Sequence, residues 1–456
     1  MKKLSLILML ALACFSQAIA QDNSEPIAVE GGYVKGVAAD AAGITVWKGI
    51  PFAAPPVGEL RWKAPQPVKP WLGIRICDKF AARPMQRMAI NKPAYQTWDQ
   101  PDNYASEDCL YLNVWAPTQK PEKPMPVMVW IFGGGFHLGS TDAAIYRGEP
   151  FVKNGVIFVS VPYRLGVFGY FAHPELSKES GHGSGNYASY DQLAGIKWVK
   201  ENIAKFGGDP NNITVFGQSA GSRSTQVLMS SKLSEGMFQR AIPMSGCAIR
   251  EDAHCLPLAD NEKQGVEFMK AIGCKNLKEL RALSEVELQE AYSKSKFWGK
   301  FRPAIDGYFL TEDTNDAALS GNYLNIDYMI GYTKDDVPAA NFPKSIGAWV
   351  ENHLKHGFKA PYVYRFDHAL PGGDMNGMAK DVFGATGAIH SCELGYVFNQ
   401  VATMNRPVTP ADYELADRTI KYWTNFAKYG NPNGATGNDW APYTQANKNT
   451  FIIDAK

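Results

Sequence analysis

Past its first twenty residues the sequence has no apolar run long enough to cross a bilayer, so the body of the chain offers no helical membrane span. It also lacks a charge bias: 46 Lys and Arg stand against 45 Asp and Glu, a formal net charge of +1. The basic footprint of a nucleic-acid binder is therefore missing. No C-x-x-C or similar cysteine spacing is present, so nothing calls for a metal, and no motif calls for another cofactor. Repeats, low-complexity tracts and clear linkers are lacking too, and the chain from 21 to 456 reads as one domain. Its 45% apolar residues can fill a sizeable core.

The first twenty residues have a different character. Lys2 and Lys3 precede the apolar stretch Leu4 to Phe15, and Ala18-Ile19-Ala20 follows as a small-x-small cleavage site. This pattern predicts a signal peptide over 1–20, a chain beginning at Gln21, and export to a periplasm or the exterior. Ala11-Leu12-Ala13-Cys14 loosely resembles a lipidation box and is the alternative, though Leu12 stands only two residues before the cysteine. Removal of the signal takes Cys14 and leaves Cys77, Cys109, Cys247, Cys255, Cys274 and Cys392. Outside the cell these can oxidise, and the expectation is one or two structural disulfide bonds among otherwise buried thiols, with Cys247 and Cys255 a plausible short loop.

Short β-branched, apolar runs at Met125 to Gly133, Val156 to Val161 and Ile213 to Phe216 have the length of buried strands. Between the second and third lies a helical pattern over Tyr190 to Phe206. Strand, helix, strand at this spacing predicts a βαβ unit in an α/β fold with a mostly parallel sheet. Further strands are expected at Ala241 to Met244, Tyr328 to Tyr332, Tyr362 to Phe366 and Thr450 to Ile453. Further helices are expected over Asn261 to Ile272, Leu277 to Ser293 and Ala411 to Tyr429, the last stopped by Gly430-Asn431-Pro432. Ile27 to Val46 reads as a small antiparallel hairpin, followed by a proline-rich surface stretch.

Gly217-Gln218-Ser219-Ala220-Gly221 directly follows the third strand and precedes a helical pattern at Ser222 to Ser231. A serine at a sharp strand-to-helix turn needs glycines two residues either side, because the strand and helix close on each other there. That context makes Ser219 a candidate nucleophile rather than part of an ordinary glycine turn. Acyl transfer also needs donors for the developing oxyanion. Gly133-Gly134-Gly135 ends the first strand, where ligands bind in open α/β sheets, and the amide of Ala220 would add another donor. Serine further needs a base with an orienting carboxylate, in the chain order Ser, acid, His. Asp335 and Asp336 follow the strand at Tyr328 and are the acid candidates. His353 and His356 read as solvated helix residues. His368 and His390 remain as bases, with His390 modestly ahead because it lies in a glycine-rich loop before a helix.

These residues resemble the type-B carboxylesterase family, which includes cholinesterases and related lipases. The run from Phe206 to Gly221 (FGGDPNNITVFGQSAG) is similar to the family's active-site signature, and Ser106 to Asn113 (SEDCLYLN) to its second one. Tyr163-Arg164-Leu165-Gly166, Asp191-Gln192 and Gly387 to Glu393 match as well, and the resemblance runs from about Val34 to the end of the chain. It implies the α/β-hydrolase fold and a carboxylic-ester hydrolase acting on small-molecule esters without a cofactor. It places the nucleophile at Ser219, the base at His390, the acid at Asp336 and the oxyanion donors at Gly134, Gly135 and Ala220. Most relatives have Glu at the acid position, so Asp335 stays as the minor alternative there. Arg61 with Glu107 and Arg164 with Asp191 are implied to be structural ion pairs. A Cys77–Cys109 bridge is implied only loosely, since the family cysteine that usually partners Cys109 is displaced. Trp98 lies near the family's quaternary-ammonium aromatic, but as a packing tryptophan it needs no such role. The segment from Asp336 to His390 is shorter than in typical relatives, which predicts a more open pocket. A plant-polymer feruloyl or acetyl esterase, and a non-catalytic binding protein of the same fold, are the rival readings; the second is disfavoured because no triad position is lost.

Overall fold

The computed structural model describes residues 22–87, 104–250, 254–373 and 387–455. The proposed signal segment 1–20 and Trp98 lie outside them, as does 374–386 within the shortened segment. A ten-stranded sheet organises the chain. Its strands in chain order are β1 (Val37–Ala38), β2 (Ile44–Pro51), β3 (Tyr111–Pro117), β4 (Met125–Ile131), β5 (Ile157–Ser160), β6 (Gly208–Gln218), β7 (Arg240–Met244), β8 (Asp327–Thr333), β9 (Tyr362–Phe366) and β10 (Phe451–Ile453). In space they run β10-β9-β8-β7-β6-β4-β5-β3-β2-β1. Everything from β10 to β5 pairs in parallel, while β5–β3, β3–β2 and β2–β1 are antiparallel. This is the α/β-hydrolase fold anticipated from the sequence, with the antiparallel strands gathered at one end.

Parallel strands covered on both faces are apolar along their length. Accordingly Val127 to Ile131 and Ile157 to Val159 are fully buried without alternation. Trp130, Phe158, Phe216 and Phe398 cluster in the centre of this core with centroids 4.8–5.9 Å apart; Phe398 meets Trp130 and Phe158 edge to face and stacks on Phe216. Each buried phenylalanine contributes roughly 2–3 kcal/mol through burial alone. Among the helices that pack on the sheet are α1 (Tyr187–Asn202), α2 (Ala220–Met229) and α4 (Pro410–Tyr429), with α3 (Phe342–Lys355) against β8. On α4 the buried Leu415, Ala416, Thr419, Ile420, Trp423, Phe426 and Ala427 recur at helical spacing. Thr409 and Asp412 cap its start reciprocally, and Gly430 ends it in the left-handed region at φ 65°.

Two buried ion pairs tie loops to this frame, as expected. Arg61 meets Glu107 at 2.5 Å, and its other nitrogen reaches the carbonyls of Arg281 and Leu283. Arg164 clamps Asp191 through two nitrogens at 2.7 and 2.8 Å. A third buried pair, Arg83 with Asp142 at 2.9 Å, had no signal in the sequence reading.

Several expectations need correcting. The six described cysteines are all free, so neither Cys77–Cys109 nor Cys247–Cys255 is bridged. Cys77 extends the strand pairing beside Lys35 and Lys48 and turns its thiol to the carbonyl of Arg75, while Cys109 is buried in the turn between Glu107 and Tyr111. Burial pushes the Cys77 thiol up to about 12, so it stays protonated. The N-terminal hairpin is two hairpins. Ile27–Val29 pairs with Gly32–Lys35 in a separate three-stranded sheet, and β1 with β2 edges the large one. The helix expected over Leu277 to Ser293 breaks at Leu283, because Ser284 and Glu287 form a capping box that starts a second helix. His353 is not solvated. It is fully buried on the apolar face of α3 with Ile346, Trp349 and Val350, bonded to the Tyr323 hydroxyl at 2.7 Å and the Lys359 carbonyl at 2.8 Å.

Candidate active site

The turn after β6 is built as the sterics require. Ser219 sits at φ 58°, ψ −121°, a strained backbone for a residue with a Cβ. Its amide donates to the Met244 carbonyl at the end of β7, 2.9 Å away. A Cβ on Gly217 would lie 2.5 Å from the Gly221 oxygen, and one on Gly221 would lie 2.1 Å from the Ile131 oxygen. The pair of glycines is therefore what lets β6, β4 and α2 converge on the serine.

The loop after β4 lies directly on this turn: a Cβ on Gly133 would meet the Gln218 oxygen at 2.6 Å. Gly134 and Gly135 follow with φ of 120° and 64°. The Gly134 carbonyl is turned away to accept from His137 and Leu138. Among the described residues no carbonyl receives the amides of Gly134, Gly135 or Ala220. Gly135, Ser219 and Ala220 line one cavity of about 300 Å³.

Asp335 and Asp336, adjacent in sequence, divide two tasks. Asp335 exchanges backbone hydrogen bonds with the loop before His390: its amide donates to the Ala388 carbonyl, and its carboxylate accepts from the Ala388 amide, each at 2.9 Å. Asp336 faces the imidazole, with its Oδ1 2.6 Å from Nδ1 of His390. The Thr333 hydroxyl donates to the other carboxylate oxygen at 2.9 Å, and the Val337 amide to Oδ1 at 2.7 Å. On the far side of the ring the Gln218 amide nitrogen is 3.3 Å from Nε2. These contacts fix a tautomer with the proton on Nδ1 and the basic nitrogen, Nε2, next to the residue preceding Ser219.

A model of the carboxylesterase family matches residues 23–343 and 339–456, which is nearly all of the described chain. The chain belongs to the carboxylesterase family. It is thereby classed with the carboxylic ester hydrolases. A fumonisin B1 esterase from Sphingopyxis macrogoltabida is 39% identical over 329 residues, covering 70% of this chain and 58% of that relative's length. A para-nitrobenzyl esterase from Bacillus subtilis is 31% identical over 484 aligned residues, covering 93% of this chain and 94% of the relative. Among solved structures, a PNB esterase superposes with a TM-score of 0.81 at 28% identity over 95% of this chain and 96% of its own. A thermophilic PNB esterase gives 0.79 at 29% over the same shares.

In this carboxylesterase the electrostatics favour the charged dyad. Burial opposes ionisation of both partners. Yet the Asp336 charge and hydrogen bond raise the His390 pKa above its ordinary value, and His390 in turn lowers that of Asp336. His368 and His356 lie elsewhere: His368 bridges Asp412 and Asp454 at 3.0 Å each, and His356 is exposed and bonded to the Leu319 carbonyl. His254 lines the Ser219 cavity and lies 3.3 Å from Asp313.

Two neighbours escaped the sequence reading. Glu393, three residues past His390, is fully buried, and among the described residues its carboxylate has no hydrogen-bond partner of good geometry. Burial first, and the Asp336 charge second, push its carboxyl up to about 8, so it is neutral at pH 7. Ser245, held at φ 52° beyond β7, has its hydroxyl beside both Asp336 and Glu393. Glu393 was visible within the motif Gly387 to Glu393, but nothing in one sequence says that it is buried beside Asp336.

Proposed function

We propose that this carboxylesterase cleaves small to medium carboxylic esters through a covalent acyl-enzyme on Ser219. The observation that carries the reading is the 2.6 Å contact of Asp336 with His390 Nδ1, which leaves Nε2 basic beside the strained serine turn. In the first half-reaction His390 takes the Ser219 proton as the oxygen attacks the ester carbonyl. The amides of Gly134, Gly135 and Ala220 receive the oxyanion. The alcohol leaves with the proton that His390 returns, and the acyl group stays on Ser219. Water then attacks the acyl-enzyme, with His390 as base again, and the acid departs. Asp336 keeps its charge throughout and stabilises the imidazolium that forms in each half-reaction. Its side chain, shorter than the Glu of most relatives, still reaches Nδ1 at 2.6 Å, and the Thr333 hydroxyl and Val337 amide hold its carboxylate there.

One relative is named for para-nitrobenzyl esters, and such an ester is the first substrate to try. Ser219→Ala should lower turnover by about 10⁴-fold or more; turnover near that of the parent would reject the assignment. We further infer export by the 1–20 segment. Protein recovered from a secreting host should begin at Gln21, and a lipidated Cys14 would contradict this.

A further inference from the structure

The loop after β4 holds three consecutive residues at positive φ: Gly134 at 120°, Gly135 at 64° and Phe136 at 69°. The two glycines adopt such angles freely and leave them as freely, while the phenylalanine is strained there. A loop of this kind keeps an oxyanion donor in place only if something fixes its peptide planes. The first plane is fixed by main chain. The Gly134 carbonyl accepts the His137 and Leu138 amides at 3.2 and 3.0 Å. In a trans peptide the Gly135 N–H then points the opposite way. The second plane is fixed by a side chain. The Gly135 carbonyl lies 2.8 Å from Nδ1 of His137. A carbonyl only accepts, so Nδ1 carries the proton and donates the hydrogen bond. Both peptide groups of Gly135 are thereby held, one by the backbone and one by an imidazole.

The ring is held in turn. On the loop side a Cβ on Gly135 would lie 2.8 Å from its Cε1. On the other side Trp298 meets it edge to face, with centroids 4.8 Å apart. Gly299 follows at φ 72°, and a Cβ there would stand 3.4 Å from the same Cε1. Trp298 and Gly299 are themselves tied to Tyr292, a buried residue of the helix Glu285–Lys294. The Tyr292 ring is 5.1 Å from that of Trp298, and its hydroxyl accepts the Gly299 amide at 2.9 Å. A segment about 160 residues away in sequence thus braces the imidazole that braces Gly135. Burial, with the Arg302 charge behind it, lowers the His137 pKa and keeps the ring neutral at pH 7. A neutral imidazole has a single N–H, and here the Gly135 carbonyl engages it.

We propose that His137 is a positioning residue for ester cleavage: its Nδ1–H, kept on the Gly135 carbonyl by Trp298 and Gly299, aims the Gly135 amide at the oxyanion that forms beside Ser219. The inference rests on the ester-hydrolase reading and adds a residue that never touches the substrate's reacting atoms. Its contribution lies in the transition state, because the oxyanion exists only there and a preset donor needs no reorganisation to meet it. Loss of the bond therefore lowers kcat and leaves ground-state binding alone.

Two substitutions decide it, measured on the whole enzyme with 4-nitrophenyl acetate and with active sites counted by an alkyl fluorophosphonate. His137→Phe keeps a ring against Trp298 but has no N–H. His137→Asn restores a donor at the same distance from Cβ as Nδ1. A trifluoromethyl ketone reads the oxyanion directly: the Ser219 oxygen adds to its carbonyl carbon, the proton passes to His390, and the ketone oxygen becomes the bound oxyanion. In the phenylalanine variant kcat per counted site should fall about tenfold or more, with KM within about twofold and the ketone's inhibition constant raised by a similar factor. The asparagine variant should recover most of both losses. His137→Ala takes the place of the phenylalanine variant if that one does not fold. Parent-like kcat and ketone affinity without the N–H would overturn the proposal. So would a loss confined to KM or to the number of counted sites, or an asparagine variant as slow as the phenylalanine one. A parent enzyme that neither turns over the ester nor takes the label would overturn the ester-hydrolase reading itself, and this proposal with it.

Discussion

Replacing Glu393 with Gln removes a buried proton while keeping the side chain's shape. Folded, the Glu393 carboxyl holds its proton up to about pH 8, against an ordinary value of 4.5. Because the folded pKa is raised, the group's contribution to stability is complete below about pH 4.5 and is lost as pH climbs to about 8. Within that window the unfolded chain has released the proton and the folded chain has not, so stability falls by about 1.4 kcal/mol per pH unit. Over the full window the loss is on the order of 5 kcal/mol. The Gln variant has no such slope. Urea denaturation of both proteins at pH 5, 6, 7, 8 and 9 should therefore give a stability difference that moves steadily in the variant's favour up to about pH 8 and then levels. Parallel pH profiles would refute the reasoning, for they would mean that Glu393 ionises at its ordinary pKa in the fold. A constant offset between the curves would reflect only the fit of the amide.

Asp336→Asn should keep the ring in place but favour the wrong tautomer, lowering kcat by about 10⁴-fold. Asp335→Asn, which touches only the loop at Ala388, should lose far less, and the two rates measured side by side distinguish them. The rate should rise with pH through the His390 pKa, with its midpoint above the ordinary imidazole value because Asp336 raises it; a midpoint below that value in a kcat/KM profile contradicts the dyad. Arg61→Met should destabilise by about 3–5 kcal/mol in denaturant titration, since it leaves Glu107 buried without its partner. Thiol titration in denaturant without reductant should find all of Cys77, Cys109, Cys247, Cys255, Cys274 and Cys392 reactive, and a shortfall of two would reveal a bridge.

Much of the frame was legible because the signals are local. Buried parallel strands are apolar along most of their length, so β4, β5, β7, β8 and β9 fell where the apolar runs did. The Ser219 turn was legible because two glycines have no substitute where a Cβ would strike a carbonyl at 2.1–2.5 Å. Choosing between Asp335 and Asp336 was not possible from spacing; the resemblance chose Asp336, whose Oδ1 lies 2.6 Å from His390 Nδ1. His353 was not recognised as buried although its spacing from Ile346, Trp349 and Val350 marks the apolar side of α3. The lining of the cavity at Ser219 was illegible for a different reason: its residues, Phe136, Val227 and Pro303 among them, come from distant segments and meet only when the chain folds. Disulfides failed as an expectation because compartment suggests oxidation, whereas pairing requires two thiols to face each other.

The most direct test of the whole account is where a covalent label lands. An alkyl fluorophosphonate reacts with a serine activated by a neighbouring imidazole and stops at the first half-reaction. Peptide mapping of the labelled enzyme should find one adduct, on Ser219, absent from Ser219→Ala and strongly slowed in His390→Ala. A label on another residue, or an active enzyme that takes none, would contradict Ser219 as the nucleophile.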